Sequence, residues 1–153
     1  MTPTRNSQSE TLHKALLILL FIICIPLSSI GRQVQMKHMY IFGFSASFKD
    51  TTVYITEVQD LQNVWYDTKT KFLIGRDNYS YQLRDFLSSQ YGLSSRVCLV
   101  VFDKSRKSAE KKLTKMKKKY GGKSASGSST PGNNSLIILR EQDFKFIPVE
   151  YNQ

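Results

Sequence analysis

Residues 39–48 read MYIFGFSASF, and the way this stretch alternates decides the fold. Tyr40, Phe42, Phe44, Ala46 and Phe48 point one way, while Gly43, Ser45 and Ser47 point the other. A period of two with an aromatic face is the pattern of a β-strand. Lys49, Asp50 and Thr51 supply turn chemistry, and Thr52–Val58 (TVYITEV) is β-branched and aromatic, so the two runs predict a hairpin. Further on, a short strand is expected at Val64–Tyr66, turning through Asp67–Thr70 and returning over Phe72–Ile74.

After Gly75 the period changes. Tyr79, Leu83, Phe86 and Leu87 recur at three and four, which predicts an amphipathic helix capped by Asp77 or Asn78 and stopped by Gly92. Val97–Phe102 is apolar without alternation, which suggests a central strand covered on both sides or covered by helices. A second helix follows, capped by Asp103 or Ser105 and ended by Gly121 and Gly122; Ala109, Leu113, Met116 and Tyr120 share its core face. The small polar residues 124–134 read as a flexible loop. Leu136–Leu139 and residues 144–151 then predict a second hairpin, with Pro148 placing its last strand at an edge. The economical arrangement is an α+β two-layer sandwich: a mixed, mostly antiparallel sheet with two helices on one face. The strand at 97–102, the helix after it and the strand at 136–139 fit a right-handed parallel crossover.

The first 31 residues read separately from this single domain of residues 32–151. Arg5 and Lys14 precede a thirteen-residue apolar run, Ala15–Leu27, which is too short for a membrane span of about 20 residues and suits a signal-peptide core. Ser29 and Gly31 are small residues at the positions a signal peptidase inspects, so cleavage is expected after Gly31. The chain is expected in the periplasm or cell envelope. Two alternatives stand beside this: residues 15–30 as an uncleaved anchor, or translation from Met36 and a cytoplasmic protein. Cys24 follows Ile23 where a lipidation signal needs a small residue, and no lipoprotein is expected. Cys98, alone after cleavage and set among aliphatics, reads as a small core hydrophobe.

The charge is local. Residues 104–123, KSRKSAEKKLTKMKKKYGGK, carry ten Lys or Arg against Glu110, a net +9 in a chain of +10. Lys104, Arg106, Lys107, Lys111, Lys112, Lys115, Lys117, Lys118 and Lys119 are therefore the candidate ligand-binding residues, for a polyanion. In an exported protein the partners that chemistry admits are an anionic glycan, a lipid surface or an acidic protein. Nucleic acid enters only with a Met36 start, and the helix lacks interleaved aromatics for base stacking. Nothing in the sequence fixes an oligomeric state.

No catalytic residue, metal ligand or cofactor motif is expected. Downstream of Gly31 the one histidine is His38, too little for Ser/His/Asp or Cys/His chemistry, and no zinc spacing or phosphate-cradling Gly loop occurs. The stretch Arg96–Gly121, an apolar strand ending at Phe102 followed by Ser105, Ala109, Leu113 and terminal glycines, resembles the second half of a SPOR domain, which implies glycan binding in bacterial envelopes. Val53–Ile55, Leu73–Gly75, Arg84 and Glu110 are similar in order to the strand motifs, catalytic arginine and metal-binding glutamate of GIY-YIG nucleases, which implies metal-dependent DNA cleavage as an alternative activity. As a whole the chain resembles small exported proteins of Bacteroidota, which implies a location and no activity.

Overall fold

The structure, a computed structural model, describes residues 33–121 and 135–150. The expected signal segment and the loop at 124–134 lie outside those residues. The order of elements is β1 (Gln33–Ala46), β2 (Thr52–Thr56), β3 (Gln59–Asp67), α1 (Arg76–Tyr91), β4 (Val97–Asp103), α2 (Arg106–Tyr120) and β5 (Ser135–Leu139). The fold is α+β with a mixed sheet. β1 pairs antiparallel with β2, β3 and β4, and β2 pairs parallel with β5.

β1 is the organising strand. β4 lies along one of its edges, while β2 and β3 follow each other along the other, with Phe44 opposite Ile55 and Ile41 opposite Gln59. Between those pairs Phe42 and Gly43 face three residues, Thr56, Glu57 and Val58. The extra residue is a bulge that bends the strand and separates β2 from β3.

Alternation along β1 feeds two cores. Phe42 and Phe44 join Val53, Ile55, Val58, Ala109 and Leu113 beneath α2. Met39 and Ile41 join Tyr54, Leu61, Tyr79, Leu83 and Leu87 beneath α1. The two helices therefore cover opposite faces of the sheet, where the sequence places them on one. The physical reason lies in β1 itself: both of its residue parities are apolar, through Met39 and Ile41 on one side and Phe42 and Phe44 on the other, and each face needs its own cover. Gly43 sets the distance on the α1 side, since a Cβ there would stand 2.6 Å from Leu83 Cδ2 and 3.1 Å from the Phe146 ring.

Three further expectations change. Among the described strands the run at 97–102 is not central: β4 pairs there with β1 alone, and it reads apolar throughout because Cys98, Val100 and Phe102 pack toward the α1 core while Val101 packs toward the α2 core. The strands β4 and β5 do run in the same direction, but β1 and β2 stand between them, so they form no adjacent pair. Residues 144–150 adopt no strand. Two glutamine side chains take the place of a partner strand. Gln59, buried, donates to the Phe144 carbonyl at 2.7 Å and accepts from the Phe146 N–H at 2.8 Å. Gln82 does the same for Ile147, donating to its carbonyl and accepting from its N–H, both at 2.9 Å. The Tyr79 hydroxyl accepts from the Val149 N–H at 3.0 Å.

Local signals set the helix ends. Gly75 and Gly92 bracket α1 with φ of 73° and 67°, left-handed values that cost glycine little. The cap is thus Gly75 where Asp77 or Asn78 was expected. Ser105 is the N-cap of α2 and Gly121 its C-cap, as the sequence implies. Asp67 closes the turn after β3 by accepting from the N–H groups of Lys69 and Thr70, and the Tyr66–Leu73 bridge completes the expected return.

Candidate polyanion-binding site

The spacing of Ala109, Leu113, Met116 and Tyr120 fixes how α2 sits. Ala109 and Leu113 are buried, Met116 and Tyr120 are half-buried against the same core, and the Tyr120 ring lies 4.8 Å from that of Phe44. With this face held to the sheet, helical periodicity leaves Lys107, Lys111, Lys115 and Lys118 on the opposite side, all exposed. From the first to the last of these, eleven residues span about 16 Å at 1.5 Å per residue. The four form a ridge, with no acidic partner among the described residues.

The other candidate residues are differently placed. Arg106 is drawn to Glu110 at 3.1 Å and stands over the Tyr40 ring. Lys112 pairs with Asp103 at 2.9 Å and donates to the Phe102 carbonyl at 3.2 Å, which ties α2 to the end of β4. Burial works to raise the Asp103 carboxyl, but the hydrogen bonds from Lys112 and the Ser105 N–H outweigh it and hold it below its ordinary value. Lys117 is half-buried; Lys119 lies over Tyr120 and Lys104 over Tyr66, at 5.2 and 4.2 Å from the ring centres. So the nine candidates divide into a free ridge and a set committed to local contacts.

The sequence does not single out two cations that the fold adds. Lys71 and Arg76 join Lys104 and Lys112 around a cleft of about 540 Å³, floored by Met39, Tyr66 and Phe72 beside the end of β4. Arg76 stacks on Phe72 at 4.0 Å. These two residues sit in a turn and at a helix start, where neither periodicity nor charge clustering marks them.

Arg96, Cys98 and His38 are engaged in local contacts. Arg96 is buried, and its guanidinium donates to Ser45 Oγ at 3.1 Å, to Asp50 Oδ2 at 2.7 Å and to the Thr52 carbonyl, with Tyr54 beneath it. That guanidinium draws the Asp50 carboxyl below its usual range, helped by the Thr52 N–H. Burial pushes the Cys98 thiol up, against the opposing pull of its hydrogen bond to Ser45. His38 does have a partner: Nδ1 lies 2.9 Å from Asp60 Oδ2, at the exposed β1–β3 surface. Among the described residues no group of three or more His, Cys, Asp or Glu is placed to hold a metal ion. Arg84 pairs with Asp85 on α1 and Glu110 with Arg106 on α2, so the residues of the nuclease-like pattern stand on opposite faces of the sheet and are not brought together. No family model, curated protein or solved structure matches this chain.

Proposed function

We propose that this chain is an exported, envelope-associated and non-catalytic domain that binds a polyanion through the α2 ridge. The observation that carries this reading is the anchoring of α2: two buried and two half-buried apolar side chains hold one face, and Lys107, Lys111, Lys115 and Lys118 stand together on the other. The ridge offers a row of like charges about 16 Å long, which suits an extended anion such as a lipid surface, an acidic glycan or an acidic segment of a protein. Each lysine near an anionic membrane contributes about 1 kcal/mol, and salt screens that contribution within a Debye length of about 8–10 Å.

Export fits the pairing of β1. Cleavage after Gly31 keeps every residue of Gln33–Ala46, whereas translation from Met36 removes the pairs that Gln33, Val34 and Gln35 make with Asp67, Tyr66 and Trp65. This favours envelope polyanions over nucleic acid.

Co-sedimentation with phosphatidylglycerol vesicles and retention on an acidic glycan, each across a salt series, test the proposal. Binding should fall steeply with salt and largely disappear when the four ridge lysines are changed to Gln together. Equal binding by that variant removes the ridge from the function. The mass of the N-terminus in purified native protein separates a chain beginning at Arg32 from one beginning at Met36.

A further inference from the structure

Among the described residues the outer edge of β4 pairs with no strand, and it borders a groove. All seven residues from Cys98 to Lys104 line one of two clefts, of about 540 and 310 Å³, which share Arg76 and Val100 and so run end to end along the strand. The far wall comes from Lys71, Phe72 and the first turns of α1, with Arg76, Ser80 and Tyr81. The Phe102 carbonyl accepts from the Lys112 side chain, so the backbone at Phe102 turns away from β1, and that one carbonyl is already occupied. Val97 and Leu99 are 57% and 39% exposed, Phe72 and Tyr81 47% and 50%, so the edge and its wall also present apolar surface. Open strand edges with exposed apolar side chains invite another strand unless charge, proline or a covering segment blocks them. β4 has no proline, and its one charge, Asp103, lies at its end and is paired with Lys112, which leaves Val97–Phe102 uncharged.

We propose that this groove binds an acidic, extended peptide segment of another protein, which adds to the sheet as a strand beside β4. The main-chain ladder supplies the affinity common to strand addition, and the walls supply the choice of partner. Four cations, Lys71, Arg76, Lys104 and Lys112, face the groove against two acids, Asp77 and Asp103, and the strongly basic α2 lies alongside. Carboxylates on the incoming strand therefore meet unbalanced positive charge, while apolar side chains between them reach Phe72, Tyr81 and Leu99. A second copy of this chain is disfavoured as the occupant, because pairing β4 with β4 would bring two sets of these cations and two basic helices together. The site differs from the α2 ridge, and the two are separable by mutation.

The test uses the full chain with its ridge intact and a fluorescent synthetic peptide alternating Glu and Val, set beside two relatives: the same peptide with alternate backbone nitrogens methylated, and a peptide alternating Lys and Val. Anisotropy should show binding of the Glu peptide, at least about tenfold weaker binding of its methylated form, and none of the Lys peptide. Amide exchange at Cys98, Val100 and Phe102 should slow when the Glu peptide is added. Arg76→Glu should abolish binding of the Glu peptide while vesicle binding persists, and the four-lysine Gln variant of the ridge should do the reverse. Equal binding by the methylated and unmethylated peptides reduces the effect to charge adsorption and overturns the proposal, as does absence of binding by the Glu peptide. Protection that appears on β5 in place of β4 overturns it too.

Discussion

On the α1 face of the sheet thirteen described residues are buried in one cluster, and Tyr79, Phe86, Phe144 and Phe146 stack within it; on the α2 face the cluster has seven, and only two of them belong to the helix. The same central strand feeds both. What differs is how each helix is held. α1 shares its core with Phe144 and Phe146 of residues 144–150, a segment that Gln82 and Tyr79 hold by their side chains. α2 presents lysines instead, held to the sheet by Ala109, Leu113, Met116 and Tyr120. One face carries the larger core, and the other holds a smaller core beneath a helix whose outward side is lysine.

That contrast predicts unequal losses. Leu83→Ala, at a fully buried position of the larger cluster, should cost about 3–5 kcal/mol in denaturant unfolding and shift the midpoint of the whole domain. Gln59→Ala removes the partner of the Phe144 carbonyl and the Phe146 N–H, and should cost about 2–4 kcal/mol, with faster amide exchange at Phe146. Leu113→Ala should cost less, about 2–3 kcal/mol, and its clearest sign should be loss of salt-dependent vesicle binding before the global transition. If Leu83→Ala and Leu113→Ala prove equal in both readouts, the two faces are not the separate units described here.

Much of this was legible in the chain. The period-two run at Met39–Phe48 places β1, although the strand starts six residues earlier, at Gln33, because Val34 and Met36 alternate with polar residues without an aromatic to announce them. The periodicities of α1 and α2, and the core face of α2, follow directly from side-chain spacing. The faces they cover do not. An apolar residue at both parities of β1 says that both sides are buried but not which helix goes where, and the crossover from β4 to β5 passes two intervening strands that no local pattern encodes. The C-terminal run FKFIPVEY has the composition of a strand, and only the long-range reach of Gln59 and Gln82 shows why it pairs with side chains instead. At the site the lysines were plain from composition. Lys71 and Arg76 were not, since they join Lys104 and Lys112 through tertiary structure alone.

Smaller effects sharpen the same contrast. The Asp103 carboxyl has a lowered folded pKa, so the stability it contributes is present above its unfolded value of about 3.9 and is lost as pH falls through the folded value. Asp50, held down by Arg96, behaves in the same sense. An acid titration followed by NMR should therefore loosen the α2 start and the Arg96 clamp below about pH 4, with the α1 core responding last. Smallest of all, replacing Lys107, Lys111, Lys115 and Lys118 by Gln should leave unfolding free energy within about 0.5 kcal/mol while abolishing polyanion binding.

The most direct measurement is a nuclear Overhauser spectrum of the folded domain. Cross-peaks should connect the Phe44 and Tyr120 rings, and separately the Gly43 Hα and Leu83 methyls, with none between the methyls of Leu83 and Leu113. Methyl contacts between Leu83 and Leu113, or coil-like shifts from Arg106 to Tyr120, would contradict an α2 held alone on its own face of the sheet with its lysines outward.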